Sequence, residues 1–166
     1  RADPQRLYLP PIMDPLYGYE TVNVEAQSRT ASSLLNWMQR LIITRKARKA
    51  FGRGTITFLR PGNRKILAYL REYQEESILC VANLANSAQP VELNLAAYKG
   101  RVPVELLGHT AFPAIGELPY LLSLPSYSFY WFRLATDVEA PVWHVDKLPR
   151  ELLPVLVLPE GLLSAL

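Results

Sequence analysis

The spacing of apolar residues changes character three times along this chain. Residues 31–50, ASSLLNWMQRLIITRKARKA, carry the one convincing helical repeat. Leu34, Met38, Leu41 and Ile42 recur at steps of three and four, and Leu35 and Trp37 widen the stripe. Thr30 or Ser32 can cap the first unpaired amides, no Pro or Gly breaks the run, and Gly52 falls where a left-handed cap would close it. Arg45, Lys46, Arg48 and Lys49 crowd the last turns, where the helix dipole favours positive charge.

From Gly54 the period becomes two. Ile56 and Phe58 alternate with Thr55 and Thr57, and Pro61-Gly62-Asn63 marks a turn. KILAYLREY (65–73), SILCVANL (77–84), PVELNL (90–95), RVPVELL (101–107), PYLLSL (119–124) and YSFYWFRLA (127–135) follow. In PVELNL, Val91, Leu93 and Leu95 point one way while Glu92 and Asn94 point the other; Pro103 assigns RVPVELL to an edge or a bulge. About seven short strands at close spacing predict a mainly β fold, an antiparallel sandwich preceded by one amphipathic helix. The expected inward positions are Ile56, Phe58, Ile66, Leu70, Leu79, Val81, Val91, Leu93, Val104, Leu106, Phe129 and Trp131.

The two ends read differently. Pro4, Pro10, Pro11, Pro15 and Gly18 forbid regular helix in residues 1–30 and predict an extended loop. Leu7, Leu9, Ile12, Met13, Leu16 and Val22 make that loop too apolar for a free tail, so it is expected to lie against a layer that the downstream strands do not supply. Residues 136–166, with Pro149, Pro154 and Pro159 among leucines, read as a linker that includes one short strand, PVLVLP, and a helical start at GLLSAL. The expected organisation is loop 1–30, helix 31–51, sandwich 52–135 and linker 136–166. With no initiating Met, the start is expected to be a cut inside a longer protein.

Composition narrows the chemistry. An apolar fraction of 49% with 20% charged residues suits a globular chain of 166 residues. The net charge of +3 sits largely on the helix end, with no aromatic residues interleaved, so a solvated helix terminus is favoured over a nucleic-acid surface. Cys80 is the one cysteine, which excludes an internal disulfide and suits the cytoplasm. A buried thiol is favoured over a nucleophile there, because His109 and His144 lie in unrelated contexts. No apolar run approaches the ~20 residues of a membrane helix, and the start has no signal-peptide core. Two isolated histidines do not make a metal site. Asp14, Glu20 and Glu25 are acids of the loop-like stretch, read as turn, rim or capping groups ahead of catalysts. Tyr8, Tyr17 and Tyr19 can line a sugar platform or pack the loop.

The order of these parts resembles the end of the α-amylase superfamily of glycoside hydrolases. SSLLNWMQRLIITRK (32–46) is similar to the last helix of the (β/α)8 barrel in those enzymes, through Leu34, Trp37, Arg40, Leu41, Ile42, Arg45 and Lys46. Within the superfamily, LYLPPIMDPLYGYETVNVEAQ, FLRPGNRKILAYLREY, ILCVANLANSAQPVELNL, GRVPVELLG and FPAIGELPYLLSLPSYSFYWFRL are most similar to the trehalose synthases, and together they cover nearly all of residues 7–135. A departure is Lys46 to Phe51, which lacks the Pro usual before the Ala-Phe step.

The resemblance implies an α-amylase-type C-terminal sandwich that supports an upstream catalytic barrel of the same chain. The parent chemistry is interconversion of maltose and trehalose by retaining intramolecular glucosyl transfer. The family's catalytic carboxylates have no match in this segment, so no catalytic residue, metal ligand or cofactor is expected within it, and any calcium belongs to the parent's barrel. Tyr17, Tyr19, Asn23 and Glu25 are the candidates for a barrel-rim, substrate-proximal loop. ELLPVLVLPEGLLSAL resembles the junction into a maltokinase-like domain. The alternatives are a stand-alone α-glucan-binding sandwich and a docking surface for maltokinase.

Overall fold

In the computed structural model, residue 3 and residues 6–141 are described. The strand, helical start and His144 expected in the tail lie outside the described residues. Three helices come first: α1 (Val24–Arg29), α2 (Leu34–Ala47) and α3 (Lys49–Arg53). Seven strands follow: β1 (Thr55–Leu59), β2 (Ile66–Tyr73), β3 (Glu76–Asn83), β4 (Gln89–Leu93), β5 (Val102–Glu105), β6 (Tyr120–Leu124) and β7 (Phe129–Ala135). Among the described residues after β1, helical structure is limited to one 3-10 turn, Ala96–Tyr98.

The helical half departs from the expected pattern in three places. Residues 24–29 form a helix inside the stretch read as extended loop, because Asn23 caps it by accepting a hydrogen bond from the Ala26 amide at 2.8 Å. Ser33, rather than Thr30 or Ser32, caps α2, with its hydroxyl 3.2 Å from the Asn36 amide. Arg48, at extended backbone angles (φ −114°, ψ 113°), splits the expected continuous helix into α2 and α3. Gly52 therefore lies inside α3 and not at a left-handed cap. Gly54 closes α3 for a different reason: a side chain there would sit 2.6 Å from the Ala50 carbonyl oxygen and 2.7 Å from that of Glu72.

The strands make two antiparallel sheets, one of five strands in the order β1-β2-β3-β7-β5 and one of β4 with β6. The alternation in each strand fills the space between them. Ala68, Leu70, Leu79, Val81, Phe132 and Leu134 from the large sheet meet Val91, Leu93, Tyr120, Leu122 and Leu124 from the small one. This is the sandwich core, and burying each large member stabilises the fold by roughly 1.5–3 kcal/mol before chain entropy is subtracted. Pro103 is accommodated because β5 is an edge strand.

The second face of the large sheet is not bare. Ile78, Cys80, Tyr69, Tyr73 and Trp131 form a smaller cluster with Ala50 and Phe51 of α3 and with Leu106. The molecule thus has three layers: small sheet, large sheet, helices.

This third layer corrects the expected core. Phe129 and Trp131 do not enter the sandwich; β7 is shifted by one position, so Phe132 and Leu134 do. Phe129 and Trp131 face the helices instead, Phe51 lying 4.8 Å from Trp131 and Trp37 6.3 Å from Phe129 between ring centres. Ile56 and Phe58 are exposed at 48% and 59%, since β1 is an edge strand whose apolar side meets no covering element. Val104 is half-buried.

Candidate functional site

The N-terminal stretch is shaped by short-range hydrogen bonds. The Asp14 carboxylate accepts from the Leu16 and Tyr17 amides at 2.7 and 3.0 Å, making the turn its neighbours require. Gly18 donates to the Asp14 carbonyl at 2.6 Å in a turn whose backbone approach leaves no space for a side chain. Asn23 both caps α1 and donates to the carbonyls of Tyr19 and Glu20 at 2.9 and 2.8 Å. Its side chain therefore ties the loop to the helix.

These bonds place the four candidate site residues. Asn23 and Tyr19 are brought together. Tyr17 hangs from the Asp14 turn, 71% exposed. Glu25 is paired with Arg29 one helical turn on, at 2.8 Å, in an exposed ion pair of the kind that adds little stability. Asp14 and Asn23 act as turn and cap groups. Among the described residues, no ring contact joins Tyr8, Tyr17 and Tyr19 into a stacking platform.

α1 is fastened to α2 by Asn36. Its amide group donates to the carbonyls of Gln27, Ser28 and Thr30 at 3.1, 3.2 and 2.8 Å, satisfying the open C-terminal end of α1. Ser33 adds a bond to the Gln27 carbonyl at 2.6 Å. α3 is in turn fastened to the large sheet. Glu76 accepts from the Ala50 amide at 3.0 Å and pairs with Arg48 at 3.5 Å. Arg71 donates to the carbonyls of Ala50 and Phe51 at 3.1 and 2.7 Å. Ala50 is thus gripped at both its amide and its carbonyl, with no exposed surface.

Between these two anchorages α2 shows its apolar side to solvent. Leu41 alone of the stripe is buried; Leu34 is 69% exposed, Met38 44% and Ile42 45%. Ile43, on the opposite side by helical geometry, is 65% exposed. A helix with apolar residues on both sides needs cover from more than one direction. Leu9, Ile12, Met13 and Leu16 in the preceding loop are uncovered as well. Together these are eight large apolar side chains left in solvent, more than the scattered residues an ordinary surface shows.

Other chemistry is sparse. Burial pushes the Cys80 thiol up to about 11, far from the range of a reactive thiolate. Among the described residues no group of three His, Cys, Asp or Glu side chains could hold a metal ion, and no helix is long and apolar enough to cross a membrane.

A large sheet with a small one on one face and a helical strap on the other defines a β-sandwich domain. Residues 56–131 match the family model of the maltogenic amylase C-terminal domain. The fold agrees with AmyP crystallised with maltose, at a TM-score of 0.58 and 19% identity, over 75% of this chain and 24% of that one.

The trehalose synthase of Pimelobacter sp. strain R48 is 55% identical over 83% of this chain, and that of Thermus thermophilus 40% identical over 97%. The chain matches the C-terminal part of trehalose synthases. It spans about a quarter of the Pimelobacter protein's length and 17% of the Thermus protein's.

Reading the sequence alone missed Asn36, Arg71 and Glu76. Asn36 sits in the first turn of α2, where a polar residue looks like any solvated position. Arg71 and Glu76 occupy the non-core side of their strands, and nothing in the alternation marks a second buried face.

Proposed function

We propose that this chain is the supporting and docking portion of an enzyme that interconverts maltose and trehalose by retaining intramolecular glucosyl transfer. The chemistry is carried out in an upstream (β/α)8 barrel of the same polypeptide, and this segment alone is inactive. The observation that carries the reading is the exposed apolar stripe of α2, set on a chain 55% identical to a trehalose synthase of which it covers 25%. The barrel covers that stripe and the apolar loop before it. Tyr17, Tyr19, Asn23 and Glu25 then lie at the barrel rim, where the Asn23 bonds hold the loop backbone in place near substrate. A calcium ion, where the parent enzyme binds one, sits in the barrel.

Similarity to the Thermus protein extends over 97% of the chain, and so into the tail after Ala135. That tail leads toward a maltokinase-like domain. The lone buried Cys80 suits a cytoplasmic enzyme.

The test is an assay of trehalose formation from maltose. The full-length enzyme turns over and the purified 166-residue chain does not. Turnover by the chain alone sinks the proposal.

A further inference from the structure

The reading of α2 as a docking helix leaves β1 unexplained. This strand, TITFL, is an edge of the five-stranded sheet and carries no charge. Its opposite number, β5, is guarded by Pro103 and by a bridge from Val104 to Ala111. Unguarded, uncharged edges are rare in soluble proteins because they recruit other chains. The side chains matter as much as the edge. Ile56 lies opposite Arg71 and Phe58 opposite Tyr69, so both share the side of the sheet that bears the helices. Phe58 lies 6.0 Å from Tyr69, which belongs to the cluster under α3 with Phe51 and Trp131. Trp131 lies 5.4 Å from Phe129, and Phe129 6.3 Å from Trp37 of α2. An aromatic band therefore crosses this side of the sheet. α3 covers its middle and leaves both flanks open, Phe58 at 59% and Trp37 at 37% exposure.

We infer that the docking face is wider than the helix: the remainder of the same polypeptide, with an apolar centre and an acidic rim, covers β1 through Ile56 and Phe58 as well as α2. This rests on the reading that α2 docks onto that remainder. Two observations select this occupant. The chain covers a quarter or less of the relatives it matches, so the partner is covalently linked and present at high effective concentration. A hollow beside the band is lined by Arg45, Lys46, Arg48, Lys49 and Arg53 around Ile42, and of these Arg48 is paired, with Glu76. A second copy on a two-fold axis would bring the same cations face to face, a repulsive arrangement.

Hydroxyl-radical footprinting of the full-length enzyme tests this residue by residue. Each rate is compared with that of the same residue in the urea-unfolded enzyme, with buried Phe132 and exposed Tyr127 as references. The expected result is that Phe58 and Trp37 are both protected to the level of Phe132, independently of enzyme concentration. If Trp37 is protected while Phe58 reacts like Tyr127, the inference falls and the docking of α2 stands. If both react like Tyr127, the docking reading itself falls and this inference with it. Protection of Phe58 that disappears on dilution identifies a second copy as the occupant and overturns the inference.

Discussion

Replacing Arg71 with Met removes the clamp that holds the helical layer on the sheet. The guanidinium makes two hydrogen bonds, to the carbonyls of Ala50 at 3.1 Å and Phe51 at 2.7 Å. Met keeps most of the aliphatic stem, so packing changes little and the loss is mainly polar. Hydrogen bonds from a charged donor contribute about 1.5–3 kcal/mol each. Here the side chain is half-buried, and the Ala50 carbonyl keeps a bond from the Gly54 amide at 3.1 Å. The net cost expected for Arg71→Met is therefore about 2–3 kcal/mol. With a urea dependence of about 1–3 kcal/mol per molar, the unfolding midpoint falls by roughly 1 M. Arg71→Lys should fall between, since an ammonium cannot span two carbonyls as the fork does. Urea titration followed by Trp fluorescence reads the result, because Trp131 lies against Phe51 of α3. An unchanged midpoint for Arg71→Met would show that the Phe51–Trp131 contact alone holds the strap and that the clamp is incidental.

Two further outcomes are expected. Asn83 is 2% exposed and joins two turns, donating to the carbonyls of Ser87, Leu124 and Pro125 and accepting from the Ala85 amide. Asn83→Leu strands those groups and should cost about 3 kcal/mol in denaturant unfolding, a loss under about 0.5 kcal/mol counting against the network. At high pH, burial holds Tyr69, Tyr98 and Tyr120 neutral up to about 12 and Cys80 up to about 11, against ordinary values of 10.0 and 9.0. The folded state binds these protons more tightly, so their contribution is complete below about pH 9 and is lost as pH rises toward 12. Stability measured across that window should fall, and tyrosinate absorbance should lag behind that of free tyrosine; three tyrosines titrating normally in the folded protein would contradict this.

How far the sequence reached follows from which forces are local. Val91, Leu93 and Leu95 alternate cleanly with polar neighbours because only one side of their segment is buried, and the structure buries all three. The phase of β7 is hidden because FYWFRLA is apolar on both sides: Phe132 and Leu134 fill the sandwich while Phe129 and Trp131 meet the helices. Period-two reasoning cannot choose between two buried faces. Ile56 and Phe58 failed for the related reason that alternation shows which side is apolar, not whether anything covers it. The break at Arg48 depends on the distant Glu76 and Arg71, which no local signal announces. For the candidate site, Asn23 stands out only through the family resemblance; its capping of α1 and its hold on Tyr19 and Glu20 belong to a fold that the surrounding prolines do not announce.

The most direct measurement concerns Leu34, 69% exposed at the start of the α2 stripe. Leu34→Ser is made both in the 166-residue chain and in the full-length enzyme, and the change in unfolding free energy is compared. In the chain, an exposed substitution should stay within about 0.5 kcal/mol. In the full-length enzyme, docking buries the side chain and the same change should cost about 1.5–3 kcal/mol. Equal and negligible effects in the two would mean that nothing covers the stripe, and that α2 is not a docking helix.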